Sequence, residues 1–319
     1  MMFILQFSLS DSGKIEFSTS ADASFSDLIG KLTDAISGDS GPKAVTGASL
    51  EELVLTYVNE APGIREERCD SAVIDYSNAS DGYIMVQYTQ NTDRRIRVQV
   101  HGPEETYPYT IVPGEWAALP LSEGSGSYRV TVLENIEGTK YAQVLSCAFD
   151  AVLTDEFGPF LRSNLYVNYA NAPNSDATAV QLTEGITDML EKVAVIYDFV
   201  INRMTYDKQL AATVTSGYIS DMDYVLEKKT GICFDYASLM TGMLRYVGVP
   251  CRMIFGYAGD VYHAWISVWV EGEGWIDNII RFNGSEWQRM DPTFASANST
   301  TDVVNYVGNG ANYIEKYFY

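Results

Sequence analysis

The residues best suited to covalent chemistry begin with a cysteine in the C-terminal half of the chain. Cys233 opens a segment whose apolar positions recur three or four residues apart, which predicts a buried helix that ends near Gly248 and Pro250. A thiol in the first turn lies at the positive end of the helix dipole, where unsatisfied backbone N–H groups favour the thiolate. The thiolate is the nucleophilic form, so the position suits covalent catalysis. The alternative is a small buried residue at the start of a core helix.

A histidine and an aspartate downstream of the cysteine supply groups that can move and hold a proton. His263 stands near the start of a predicted strand, and an imidazole beside a thiol can take its proton and return it to a leaving amine. Asp291, in the run MDPT, ends a strand of the same predicted meander and can orient the imidazole. Asp277, in GWIDN, competes for that role because it is closer to His263 in sequence. Each of these residues also has an ordinary structural interpretation, in a strand or a turn.

Composition and charge exclude several classes of function. The chain has 319 residues, enough for two domains, and no apolar run of membrane-spanning length. Its net charge of -21 argues against nucleic acid and against an anionic membrane as partners. Its 2 histidines and 4 scattered cysteines form no metal-binding pattern, so we expect neither a metal nor a cofactor. The N-terminal apolar patch is too short for a secretory signal, which predicts a cytoplasmic protein unless a signal was removed, in which case it is exported or on the cell surface.

The periodicity of the sequence predicts three parts. Residues 1–75 form an accessory segment with a strand at 3–9 and helices at 25–36 and 50–59. Residues 76–155 contain short strands of period two, separated by turn sequences, and predict a β-sandwich-like domain. Residues 156–319 form the predicted catalytic domain, with an amphipathic helix at 183–203, the cysteine helix and four strands after Pro250. The run NYANAPNSDA at 168–177 is interpreted as a linker.

Five short motifs carry a family resemblance over about residues 185–295. In order they read GICFDYA, RYVGVPCR, GY, HAW and WQRMDPT, and together they resemble the transglutaminase-like core, a papain-like thiol fold. The resemblance implies an α+β fold in which a helix bearing the cysteine packs on an antiparallel sheet, here preceded by the β-sandwich-like domain. It further implies that Cys233 is the nucleophile, His263 the general base and acid, and Asp291 the orienting carboxylate.

One segment departs from the usual pattern of that family. The histidine and aspartate strands of the family usually form a plain hairpin, whereas here a further strand at about 274–282 stands between them. If that strand stays in the sheet between the other two, Asp291 cannot reach His263 and Asp277 becomes the better candidate. If it leaves the sheet as a flap, Asp291 is adjacent. The MDPT sequence favours Asp291.

The predicted activity is acyl transfer on amide substrates through a thioester intermediate. The enzyme would be a cysteine protease or amidase, or a transglutaminase, with a protein or peptide as substrate, and hydrolysis is favoured over crosslinking. The backbone N–H of Cys233 can form half of an oxyanion hole, with Tyr206 as a candidate for the other donor. The alternative, from a different class, is a non-catalytic protein- or glycan-binding protein that retains the fold.

Overall fold

The computed structural model describes residues 6–9, 15–18, 57–258, 260–271, 274–277, 280–282, 287–289 and 313–319. The chain divides into two compact units, residues 1–42 and residues 43–319. In the first unit, β1 (Gln6–Leu9) and β2 (Ile15–Ser18) pair as an antiparallel hairpin. The strand predicted at 3–9 overlaps β1. The helices predicted at 25–36 and 50–59 lie outside the described residues, apart from 57–59.

The second unit begins with an antiparallel β region of two four-stranded sheets. One sheet has the order β3-β4-β5-β8 and the other the order β10-β9-β6-β7. The strands are β3 (Glu66–Arg68), β4 (Ala72–Asp75), β5 (Tyr83–Tyr88), β6 (Ile96–His101), β7 (Thr106–Ile111), β8 (Trp116–Pro120), β9 (Gly126–Glu137) and β10 (Lys140–Ala151). Along β6, buried residues alternate with partly exposed ones, as expected where one face of a sheet covers a core. This confirms the predicted β region, while its domain boundaries stay predictions.

Tyrosines of the β region pack inside it. Tyr83, Tyr107, Tyr109 and Tyr128 are all buried. The ring of Phe149 in β10 stacks on Tyr76, which follows β4, at a centroid distance of 4.9 Å, and this contact joins the two sheets. Large aromatic side chains supply much of the apolar area that such a core removes from water. Their burial favours a structural role for these tyrosines over a role in binding.

The remainder of the second unit combines helices with antiparallel strands. The helices are α1 (Gly158–Leu161), α2 (Pro173–Leu182), α3 (Met189–Arg203), α4 (Lys208–Thr213), α5 (Met222–Lys228) and α6 (Cys233–Tyr246). The strands are β11 (Thr205–Tyr206), β12 (Thr230–Gly231), β13 (Cys251–Ala258), β14 (Val261–Val270), β15 (Gly274–Asp277), β16 (Ile280–Phe282), β17 (Trp287–Arg289) and β18 (Tyr313–Phe318). A four-stranded antiparallel sheet has the order β15-β14-β13-β18, and α6 packs on β13 and β14. The predicted α+β fold with a cysteine helix on an antiparallel sheet is confirmed.

Two predictions about the segment that leads into this region were wrong. The helix predicted at 183–203 begins at Met189, because Asp188 accepts a hydrogen bond from the Glu191 backbone N–H (2.9 Å) and caps it there. Gly185 just before it has a left-handed φ of 78°, which interrupts a helix. Part of the run interpreted as a linker is α2, whose first residue, Pro173, suits the first turn of a helix.

A buried arginine joins three segments behind α6. Arg245 is 2% exposed and donates hydrogen bonds to the carbonyl oxygens of Arg162 (2.7 Å), Cys251 (2.9 Å) and Tyr319 (2.6 Å). Burial lowers the pKa of Arg245 to about 10. The guanidinium therefore keeps its charge at neutral pH, and its three hydrogen bonds join backbone oxygens from three different segments.

A buried carboxyl group in α2 makes stability depend on pH. Asp176 is 8% exposed, and its Oδ1 has no hydrogen-bond partner among the described residues. Burial, together with the charge of Asp223, raises its pKa from 3.8 to about 7. Between these two values the folded state holds a proton that the unfolded state has lost. The contribution of Asp176 to stability is therefore present at low pH and is lost as the pH rises through about 7.

We expect Asp176→Asn to become more stable relative to the wild type as the pH rises from 4 to 7. The relative gain has a slope of at most about 1.4 kcal/mol per pH unit and levels off above pH 7. Urea unfolding of both proteins across this range measures it. Asp93→Asn, at an exposed position, is the control and should track the wild type. A constant difference between Asp176→Asn and wild type across this range would contradict the assignment.

Candidate active site

Cys233 occupies the first position of a buried helix and is itself accessible. It is half-buried, whereas its neighbours Ile232 and Phe234 are buried. The N–H groups of the first helical turn have no carbonyl one turn earlier, so the start of α6 carries partial positive charge beside the thiol. The other cysteines differ, since Cys69 is exposed near β3, and burial raises the pKa of the Cys251 thiol to about 12. Cys233 therefore lies at a helix N-terminus, as predicted, and its side chain is partly exposed to solvent.

A carboxylate two residues later holds the start of the helix. The backbone N–H of Ile232 donates to Oδ2 of Asp235 (2.8 Å), and the Ile232 carbonyl accepts from the Asp235 N–H (2.9 Å). The Tyr218 hydroxyl donates to the other oxygen, Oδ1 (2.9 Å). Burial raises the pKa of Asp235, while the hydrogen bonds from the Ile232 N–H and the Tyr218 hydroxyl act in the opposite direction. The reciprocal bonds resemble a capping box and fix the turn that carries Cys233.

The residue before this turn has to be glycine. A Cβ at Gly231 would lie 2.5 Å from the Asp235 Cβ and 2.8 Å from its Oδ2. Any side chain would therefore displace the carboxylate that holds the helix start. Sequence reasoning noted the glycine but missed Asp235 and Tyr218. An acidic residue at the third helical position was the available signal.

A short parallel strand pair positions the backbone that immediately precedes the cysteine. Tyr206 of β11 lies opposite Gly231 of β12. The Asp207 N–H donates to the Gly231 carbonyl (2.9 Å), and the Thr205 N–H donates to the carbonyl of Lys229 (2.9 Å). Tyr206, the candidate second oxyanion donor, is thus placed across from the residue two positions before Cys233.

His263 lies near the start of β14, in the interior of the sheet. It is 5% exposed and is paired with Gly256 of β13. Its ring stacks on Trp265, two residues along the same face, with centroids 6.0 Å apart and planes at 25°. Trp265 is 1% exposed and in turn contacts Tyr313 edge-on at 5.1 Å.

Contacts between aromatic rings connect the start of β14 with the start of α6. Phe234 contacts Phe255 of β13 at a centroid distance of 5.2 Å, and Phe255 stacks on Tyr262 at 5.9 Å. Burial, the phenols of Tyr317 and Tyr257, and the charge of Cys233 together raise the pKa of Tyr262 to about 12. The thiol therefore lies close to the phenol that immediately precedes His263.

The faces of β14 separate Tyr262 from His263. Tyr262 lies on the face that contacts α6, and alternation puts His263 with Trp265 on the other. The structure brings together the helix start and the strand start that carry the two predicted residues. Contact between the Cys233 sulfur and the His263 ring stays a prediction.

Of the two candidate orienting carboxylates, Asp277 lies among the described residues. Asp277 of β15 pairs with Ser267, four residues beyond His263, so its Cα lies about 13 Å along the strand from that of His263. This backbone separation disfavours Asp277 as the residue that orients the imidazole. Asp291 lies outside the described residues.

The segment predicted as one strand at 274–282 consists of two. Its first half, β15, pairs with β14 at the sheet edge, and its second half, β16, pairs with β17 in a separate hairpin. Neither of the two arrangements left open by the sequence therefore holds for the whole segment. In the part of the chain that the structure describes, no three histidine, cysteine, aspartate or glutamate side chains are grouped to hold a metal, and no helix is long and apolar enough to cross a bilayer.

Two curated bacterial proteins are similar to part of the chain. The uncharacterized protein YebA of Bacillus subtilis is 29% identical over an alignment of 121 residues, and the match covers 31% of this chain and 16% of that protein. The protein-glutamine gamma-glutamyltransferase of Pseudomonas aeruginosa is 29% identical over an alignment of 89 residues, and the match covers 24% of this chain and 12% of that protein. The chain thus spans less than a fifth of the length of either relative.

Solved structures are similar at low identity. A candidate cysteine protease of Cytophaga hutchinsonii aligns over 80% of this chain and 74% of its own, with 12% identity and a TM-score of 0.37. Red sea bream transglutaminase aligns over 66% of this chain and 48% of its own, with 15% identity and a TM-score of 0.28. Residues 176–292 match the model of the transglutaminase-like superfamily, a range that includes Cys233, His263 and Asp291. The resemblance to the transglutaminase-like superfamily is thus confirmed over residues 176–292.

Proposed function

We propose that the protein is a cysteine-dependent enzyme that transfers acyl groups from amides of a protein or peptide substrate. The observation that carries this proposal is the accessible Cys233 at the N-terminus of a buried helix, within a region that matches the superfamily. A helix N-terminus lowers the free energy of a thiolate, and a partly exposed thiolate can meet a substrate carbonyl. An inert core cysteine, such as Cys251, has neither the access nor this position.

The proposed reaction has two halves. The Cys233 thiolate attacks the amide carbonyl carbon, and the tetrahedral intermediate collapses to a thioester as the C–N bond breaks. His263 takes the thiol proton and delivers it to the departing nitrogen, which leaves as an amine or ammonia. Water or a second amine then attacks the thioester and releases Cys233. Asp291 is the proposed orienting carboxylate for His263, supported by its position in the MDPT motif and by the distance of Asp277 along the strand.

The oxyanion of the intermediate needs preorganised donors. The backbone N–H of Cys233, at the first position of α6, is one proposed donor, and a second is the Tyr206 hydroxyl. The strand pair that sets Tyr206 opposite Gly231 supports the second assignment. Loss of one such donor typically raises the barrier by about 3 kcal/mol.

Hydrolysis is the favoured outcome, with transamidation as the alternative. The half-buried Cys233 leaves water access to a thioester at this position. The name of the Pseudomonas aeruginosa relative, a glutamyltransferase, supports the alternative. Release of peptide or ammonia from casein, compared with incorporation of dansylcadaverine into it, separates the two outcomes.

Alkylation of the thiol at mildly acidic pH tests the proposal. We expect iodoacetamide near pH 6 to modify Cys233 faster than the exposed Cys69, because a thiolate at a helix start reacts where an ordinary thiol is protonated. Peptide mapping by mass spectrometry gives the rate at each cysteine. In His263→Ala the advantage of Cys233 should be lost. Equal rates at Cys233 and Cys69 in the wild type would contradict the proposed function and favour a non-catalytic binding protein.

A further inference from the structure

Three exposed apolar side chains form one row across the sheet beside Cys233. Tyr262 of β14 pairs with Tyr257 of β13, and Tyr257 pairs with Ile314 of β18. Directly opposed residues of antiparallel strands share a face, so the three side chains stand next to one another. They are 51%, 38% and 63% exposed, in that order. We call Tyr262, Tyr257 and Ile314 the apolar row.

The apolar row continues from the start of the cysteine helix. The Tyr262 and Tyr257 rings are 5.4 Å apart between centroids, and Tyr262 stacks on Phe255, which in turn contacts Phe234 beside Cys233. The row therefore lies on the face of the sheet that α6 covers, at the end where the first residue of α6 begins. Single exposed apolar residues are common on protein surfaces and need no explanation. A contiguous exposed row beside the proposed nucleophile, in contrast, indicates a binding surface.

From this position, we infer that the apolar row is a substrate subsite that binds an apolar side chain flanking the reactive amide residue. The inference rests on the proposed function. Strands of a sheet lie about 4.8 Å apart, so the row spans about 10 Å, the length of three residues of extended chain. Such a segment places alternate side chains on one face, and each tyrosine offers an apolar ring with a polar tip.

The size of the row argues for a peptide segment as its occupant. A stable interface between folded proteins buries about 800 Å² on each partner, which three partly exposed side chains cannot supply. An extended substrate segment, held mainly at its reacting residue, needs only one or two side-chain contacts nearby. Such contacts change the rate of reaction between related substrates by about 10- to 200-fold.

The test compares two peptidyl chloromethyl ketones that alkylate cysteine, one with phenylalanine and one with glycine beside the reactive group. We expect the phenylalanine reagent to modify wild-type Cys233 at least about tenfold faster than the glycine reagent. In the double variant Tyr257→Ser with Ile314→Ser, this ratio should fall to about one. Ile136→Ser, at a 59% exposed position in the β9–β10 hairpin, is the matched control and should keep the wild-type ratio. A ratio near one in the wild type, or an unchanged ratio in the double variant, would overturn the inference.

A second measurement separates failure of the subsite from failure of the proposed function. Calorimetry measures binding of a phenylalanine-containing peptide amide to Cys233→Ala, and this binding needs no thiol chemistry. Binding that is weakened about tenfold by the two serine substitutions supports the subsite even if Cys233 reacts no faster with iodoacetamide than Cys69 does. Absence of binding, or binding that the substitutions leave unchanged, counts against the subsite. Because Tyr257 and Ile314 are both exposed, the fold is expected to survive, and Ile314→Ser alone provides a milder variant.

Discussion

Replacement of Cys233 by alanine is expected to lower kcat/KM on a protein amide substrate by at least about 10⁴-fold. The proposed reaction passes through a thioester on this sulfur, so no covalent path remains without it. Loss of a nucleophile from a working catalytic group typically costs this much or more, and the residual rate comes from substrate binding and oxyanion contacts. Casein is a suitable substrate, with ammonia, peptide and dansylcadaverine incorporation as three separate readouts.

Two controls make this result specific. Cys69→Ala removes an exposed thiol and should leave all three readouts unchanged. Circular dichroism and thermal unfolding of Cys233→Ala should match the wild type, since the lost sulfur is half-buried and leaves little cavity. Activity within tenfold of the wild type in a well-folded Cys233→Ala would rule out the thioester mechanism.

Replacement of Arg245 by methionine is expected to lower the free energy of unfolding by about 3–5 kcal/mol. The guanidinium is 2% exposed and donates to three backbone carbonyls, and methionine fills a similar volume without any donor. A buried acceptor left without a partner costs about 1–3 kcal/mol. The Arg162, Cys251 and Tyr319 oxygens all lose the Arg245 donor, while the Tyr319 oxygen keeps a hydrogen bond from the Met253 N–H (2.9 Å). Urea unfolding followed by fluorescence measures the change.

The matched control is Arg129→Met, which makes the same chemical change at an exposed position of β9. Its effect should stay within about 0.5 kcal/mol of the wild type. If Arg245→Met proves as stable as Arg129→Met, the buried hydrogen bonds add no net stability, because the cost of burying the charge offsets them.

Patterns of local period predicted most of the fold. The alternating segments at 83–88 and 261–270 coincide with β5 and β14, because alternation and flanking turns mark such strands clearly. Helix boundaries are harder to predict where a single capping residue or glycine decides them. Asp207 caps the short helix α4 through a local hydrogen bond, a signal that composition and periodicity do not show.

The sequence predicted the chemistry of the candidate site, but it did not predict which residues hold Cys233 in its position. Residue type and helix position identify Cys233 without any contact in space. Asp235 and Tyr218 hold that position through contacts between separate segments, which a single sequence does not reveal. Alternation along a strand puts His263 and Trp265 on one face, and their rings stack in the structure. Which face of the strand meets α6 depends on tertiary packing.

The parallel pairing of β11 with β12 has a consequence for the order of folding. Thr205 pairs with Thr230 across the whole of α4 and α5, so the pair forms only after this crossover has closed. The turn that carries Cys233 begins at the end of β12. A nascent or partly folded chain therefore lacks the helix start at which Cys233 lies. We expect the reactivity proposed for Cys233 to appear only together with the long-range contacts of the native state.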